Sequence, residues 1–168
     1  MPRRLHARAL LALTALVIGA SLPPAIMAQA STPERDLLHE LADLNRAVAL
    51  LAHETMHRPG TFPSKAQATA VDKRHDDDMD HMSAALKTLG DDYKSRASGA
   101  DSATAKALSK LSGAAYDAEF RKDVTAIDER AIKAVDSYTP KLTNVLIKTL
   151  AGRMRASAAA EMKELAGG

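Results

Sequence analysis

Cysteine and tryptophan are absent from this 168-residue chain, and its aromatic residues are three tyrosines and two phenylalanines. Without cysteine there is no disulfide and no thiolate metal site, so packing alone must hold the fold together. A lipid anchor on a processed N-terminus is excluded for the same reason. So few rings leave no stacking platform for single-stranded nucleic acid. There is no Gly-rich phosphate loop, and no apolar run reaches the roughly 20 residues that span a bilayer. Strand-forming residues are scarce too, whereas Ala, Leu, Lys, Asp and Arg are plentiful, which favours helix.

The N-terminus reads as an export signal. Arg3, Arg4, His6 and Arg8 precede an apolar run from Ala9 to Ala20, and small residues follow at Ala28-Gln29-Ala30. That order predicts a secretory signal over 1–30, of the general secretion type, cleaved after Ala30. The working protein is then periplasmic or secreted, a single domain over 31–168 with no transmembrane segment. The signal holds three of the 23 Lys and Arg and none of the 21 Asp and Glu, leaving 20 basic residues against 21 acidic. The +2 charge of the whole chain thus belongs to the signal, and nucleic acid is excluded as a partner.

Four amphipathic helices follow. Thr32-Pro33 pairs a capping residue with proline at the first helical position, and Leu37, Leu41, Leu44, Val48 and Leu51 recur at helical spacing up to Arg58-Pro59-Gly60. A second helix is predicted from Ser64 to Leu89 with Val71, Met79, Met82, Leu86 and Leu89 inward, closed by Gly90. A third runs from Asp101-Ser102 to Asp136 on Tyr116, Phe120, Val124, Ile127 and Ala131, bent near Gly113 because Leu108 and Leu111 leave that seam. A fourth starts at Thr139-Pro140 and carries Ile147, Leu150, Met154 and Leu165. The expected fold is all-α, an up-down-up-down four-helix bundle, with the loop from Gly90 to Ala100 its longest and most flexible connection.

Residues 34 to 165 resemble DUF4142, a family of exported bacterial ferritin-like domains of unknown function. The resemblance lies in Asp80-His81 followed by Leu86 and Leu89-Gly90, in Leu108, Leu111 and Gly113 leading to Tyr116-Asp117 and Phe120, and in the terminal helix. Tyr116-Asp117 stands where family members carry Phe-Asp. The chain departs from the pattern at Asp128 and near Ala158, where histidines are expected. The resemblance implies a ferritin-like fold and an exported setting, and supplies no activity.

Two groups of residues carry metal-ligand chemistry. His53-Glu54-Thr55-Met56-His57 matches H-E-x-x-H, yet His53 and His57 lie opposite the apolar seam and belong in solvent, in the last turn where protonated histidine is favourable. No catalytic residues are assigned to it, and it is the second choice for a metal. In His75-Asp76-Asp77-Asp78-Met79-Asp80-His81 the residues Asp76, Asp77 and Asp80 point outward, whereas His75 sits within the apolar stripe with Asp78 at its border. Counting through the loops puts His75 level with Asn45, Tyr116 and Glu161, so a polar layer of Asn45, His75, Asp78, Tyr116, Asp117 and Glu161 is expected. Left unpaired, such groups would cost several kcal/mol. His75, Asp78 and Glu161 are the first choice for a metal, a donor set suited to zinc, iron or manganese. Met79 and Met82 are expected in the core rather than on copper. The expected role is non-enzymatic, in binding or structure in the cell envelope, without cofactor; the alternative is a metal-binding ferritin-like protein with metal oxidase activity.

Overall fold

Every regular element among the described residues, 32–58 and 62–167 of the computed structural model, is helical. The export signal expected over 1–30 lies outside them. Helix α1 spans Thr32–Met56, α2 Phe62–Thr88, α3 Gly99–Leu108, α4 Gly113–Tyr138 and α5 Val145–Ala166, with a 3-10 turn at Thr139–Lys141. None is long and apolar enough to cross a membrane.

The predicted third helix is two helices. Leu108 turns inward while Leu111 is exposed, so one continuous helix could not serve both. The chain breaks after Leu108, and Gly113 restarts it at a φ of 57°, a value that glycine adopts without strain. The fourth helix begins later than Thr139-Pro140, because Leu142 is extended and Asn144 supplies the cap, its side chain accepting from the Leu146 and Ile147 amides.

Cross-helix bonds fix the direction of each helix. Arg35 near the start of α1 donates to the Leu89 carbonyl at the end of α2, while Asn45 pairs with His75, so α1 and α2 are antiparallel. Thr55 meets Tyr116, and Glu34 meets Thr143, so α4 also runs against α1. Arg74 meets Glu161 and Arg153 meets His81, so α5 runs against α2. The four long helices therefore run up-down-down-up, not up-down-up-down. The difference comes from residues 89–112, which return along α1 before α4 begins.

That return is pinned rather than free. Arg35, His39 and Asp43, one helical turn apart on α1, hold it in sequence. Arg35 and His39 take Asp91 at 3.1 and 2.9 Å. The His39 ring stacks on Tyr93 with centroids 3.8 Å apart. Asp43 accepts from the Tyr93 hydroxyl at 2.8 Å and the Arg96 amide at 2.7 Å. Farther along, Arg58 donates to the Ser109 carbonyl, and Asp101 accepts from Arg130 and Ser98.

Two apolar clusters fill the interior. One gathers Leu44, Val48, Leu51, Phe120, Val124, Ile127 and Leu165. The other gathers Leu37, Leu38, Leu41, Met82, Leu86, Val135, Ile147 and Met154. Each fully buried large side chain contributes about 1.5–3 kcal/mol, and Phe120→Ala, at a site with no exposure, costs about 3–5 kcal/mol. The predicted inward stripes of all four long helices are buried at their centres, and Met82 lies in the core as expected. At the boundary between the clusters, Leu41, Leu44, Ile127 and Met154 line a cavity together with polar groups.

Candidate metal centre

His75 on α2, Asp128 on α4 and Glu161 on α5 converge on this cavity, and each offers one ligand atom within 4.8 Å of the others. All three are buried; Asp128 is 2% and Glu161 1% exposed. The cavity has a volume of ≈ 20 Å³, enough for a single water molecule or ion.

Asn45 on α1 sets the imidazole. Its Nδ2 donates to the His75 carbonyl at 2.8 Å, which fixes the amide so that Oδ1 faces the ring. Oδ1 lies 2.5 Å from His75 Nδ1, so Nδ1 must carry the proton and donate it. In the neutral ring Nε2 then presents a lone pair, and it faces Glu161 Oε1 at 3.3 Å. Two acceptors that close call for a proton or a metal ion between them. A histidine whose far nitrogen is held by a fixed acceptor is the usual support of a metal-bound imidazole.

The two carboxylates differ. Glu161 Oε2 accepts from Arg74, which also reaches the exposed Glu164 at 2.7 Å. Asp128 Oδ2 is buried with no hydrogen-bond partner. Burial first, and then the nearby Glu161 charge, push its carboxyl up to about 8, with Arg74 offsetting part of the effect. At neutral pH the metal-free site thus favours a protonated Asp128, and a bound cation would displace that proton.

His75 and Glu161 meet as expected. Asp78 lines the same cavity but lies outside the three-ligand group, its nearest cation being Arg153 at 3.9 Å. Tyr116 is not in the layer; its hydroxyl bonds Thr55 Oγ1 at 2.8 Å, and Asp117 is its chain neighbour. The register count placed them at the level of His75 by assuming a short turn into α4. With the return along α1, the level of His75 falls at Asp128, 12 residues or roughly 18 Å farther along α4. Asp128 was the residue missed, and its signal was a carboxylate beside Ile127, four residues after Val124, at the edge of the apolar stripe.

His53 and His57 are exposed as expected, with ring centroids 4.5 Å apart. Glu54 is turned to Arg58 at 3.7 Å, and among the described residues no third ligand joins the pair.

No family profile matches the chain, and no curated protein matches it; membership of DUF4142 therefore has no support from either comparison. The fold is similar to the crystal structure of a DUF305 fragment from Deinococcus radiodurans, with a TM-score of 0.74 and 15% sequence identity over 82% of this chain and 95% of that one. At that identity the likeness is one of fold, that of a domain whose regular elements among the described residues are all helices.

Proposed function

We propose that this protein is an exported, ferritin-like four-helix bundle that binds one divalent transition-metal ion through His75 Nε2, Asp128 and Glu161. The observation that carries the reading is the convergence of three ligand atoms from three helices within 4.8 Å of one another, in a buried cavity. An imidazole and two carboxylates suit zinc, manganese or iron. The single long crossover between the second and third long helices is the connection that ferritin-like bundles use, which supports that part of the reading and the resemblance to DUF4142. The secretory pattern at the N-terminus supports an envelope or extracellular setting, where no thiol of this chain competes for the ion.

The role is binding rather than oxidation. A ferritin-type dinuclear centre takes carboxylates from two helices and an E-x-x-H motif from each of the other two, and here Glu54 and His57 lie on the outer face of α1, nine and twelve residues beyond Asn45. A second reading, a polar layer that sets helix register, draws on the two bonds between Asn45 and His75.

The test is metal content. Protein purified after growth with zinc, manganese, iron and copper should carry about one equivalent per chain, and His75→Ala should carry none. No bound metal, and no thermal shift on adding any of the four ions, would leave the structural layer as the answer.

A further inference from the structure

The metal site has a guarded side. Helices α2 and α5 face each other through charge: Arg74 crosses from α2 to Glu161 and Glu164, and Arg153 crosses back from α5 to His81 at 2.7 Å and Asp78 at 3.9 Å. On these two helices the cavity is lined by His75, Asp78, Ser157 and Glu161, and each strap ends on a carboxylate of that lining, Arg74 on Glu161 and Arg153 on Asp78. Arg74 is a quarter exposed and spans from a carboxylate that is 1% exposed to one that is 61% exposed. It is therefore the group a cation meets between solvent and the ligands.

Resting on the metal-binding reading, we infer that Arg74 is a built-in competing cation: its guanidinium neutralises Glu161 until a divalent ion displaces it, and Glu164 is the berth to which it retreats. Glu161 has a second claim on it from His75 Nε2, so its two oxygens already face two different partners. A metal bridging His75, Asp128 and Glu161 places a double charge beside the guanidinium, and like charges at that range repel strongly in a buried setting. Arg74 keeps its partner Glu164 when it lets go, so no unpaired charge is left behind. A monovalent ion brings no more charge than the guanidinium it must replace and makes no hydrogen bonds, so the exchange favours divalent ions. Arg74 acts on affinity and on entry, and is not itself a ligand.

The two glutamates and the arginine give opposite signs. In titrations of the full mature chain with Mn2+ and with Zn2+, Arg74→Gln should bind about tenfold more tightly and load faster, because the competitor is gone. Glu164→Gln should bind about threefold more weakly, because the retreat is closed. Arg74→Lys, which keeps the charge but cannot span both glutamates, should fall between wild type and Arg74→Gln, and it serves as the test variant if Arg74→Gln does not fold. Arg155→Gln, which breaks only an exposed pair with Asp136, should leave the affinity within a factor of about two. If wild type binds and His75→Ala does not, but Arg74→Gln and Arg74→Lys bind equally or more weakly than wild type, Arg74 is a structural strap and the inference fails alone. If neither wild type nor Arg74→Gln binds either ion, the metal reading fails and takes the inference with it.

Discussion

The corner where α1 meets the start of α5 and the layer at the middle of the bundle both bury a carboxylate, and they treat it in opposite ways. At the corner, Glu34 Oε1 accepts from the Thr143 amide at 2.7 Å, the Thr143 hydroxyl at 3.0 Å and the Asn144 amide at 3.0 Å. Burial alone would raise its carboxyl, but these bonds from Asn144 and Thr143 outweigh burial and hold it below the ordinary range. Asp101 repeats the pattern at the start of α3: burial pushes up, Arg130 and Ser98 pull harder, and the result is again lowered. Glu34 Oε2 and Asp128 Oδ2 are both buried without a partner, but in the middle layer Asp128 gains no donor on its other oxygen, faces a carboxylate neighbour, and has its carboxyl raised to about 8. Carboxylates that tie helix ends together are supplied with donors by the backbone they tie. One aimed into a cavity from mid-helix has no free amide within reach, because every amide there is spent on its own helix. Its remaining partners are a proton or a cation.

This contrast can be broken, and the largest effect is expected on metal. Glu161→Ala removes one of the proposed ligands and should weaken binding by about 100-fold or more, whereas Glu34→Ala should leave the affinity of the folded protein unchanged; equal losses in the two variants by calorimetric titration would erase the distinction. The next effect is on stability. Glu34→Ala leaves the Thr143 and Asn144 amides without their acceptor and should cost about 2–4 kcal/mol in urea denaturation. Asp128→Asn should instead stabilise the metal-free protein at pH 8 by about 1–2 kcal/mol, since it removes a buried carboxyl whose ionisation Arg74 only partly compensates. A destabilised Asp128→Asn would mean that the carboxylate is satisfied after all.

A smaller and sharper difference is the sign of the pH dependence. Asp128 has a folded value far above its unfolded one, so in metal-free protein its penalty is absent near pH 4 and grows as pH rises towards about 8. Glu34 has a lowered folded value, so its contribution is complete above its unfolded pKa and is lost as pH falls through the folded one. Stability measured across pH should therefore lose its downward slope between pH 4 and 8 in Asp128→Asn, and lose part of its acid limb in Glu34→Gln. The smallest effect belongs to the exposed pair: His53→Ala with His57→Ala should change stability by no more than about 0.5 kcal/mol and metal affinity by less than a factor of about two. Loss of binding in that double variant alone would move the site to the surface of α1.

Much of the bundle was legible in local pattern. The stripes of α1 and α5, the outward Asp76, Asp77 and Asp80, the inward His75 and the solvent-facing His53 and His57 all follow from helical spacing, because 3.6 residues per turn ties side-chain direction to sequence number. The break at Gly113 also left a trace in Leu108 and Leu111, though the periodicity on either side was close enough to read as one bent helix. The topology left none. Whether a connection turns back or travels the length of a neighbour depends on partners such as His39 with Tyr93 and Asp43 with Arg96, which lie about 50 residues apart in sequence.

The site divides along the same line. His75 and Glu161 could be paired from sequence because α2 and α5 lean on apolar stripes that each announce one polar intruder. The sequence by itself determined helical content, which faces are apolar, the absence of any thiol chemistry and the two residues that had to answer for buried charge. The tertiary structure decided that α4 runs parallel to α2, and hence that Asp128, rather than Asp78 or the Tyr116-Asp117 pair, comes together with His75 and Glu161. The reason is physical: direction within a helix is a local property, whereas the level at which two helices meet is set by the crossover between them, and a reversal of one helix moves every residue on it except those at its midpoint.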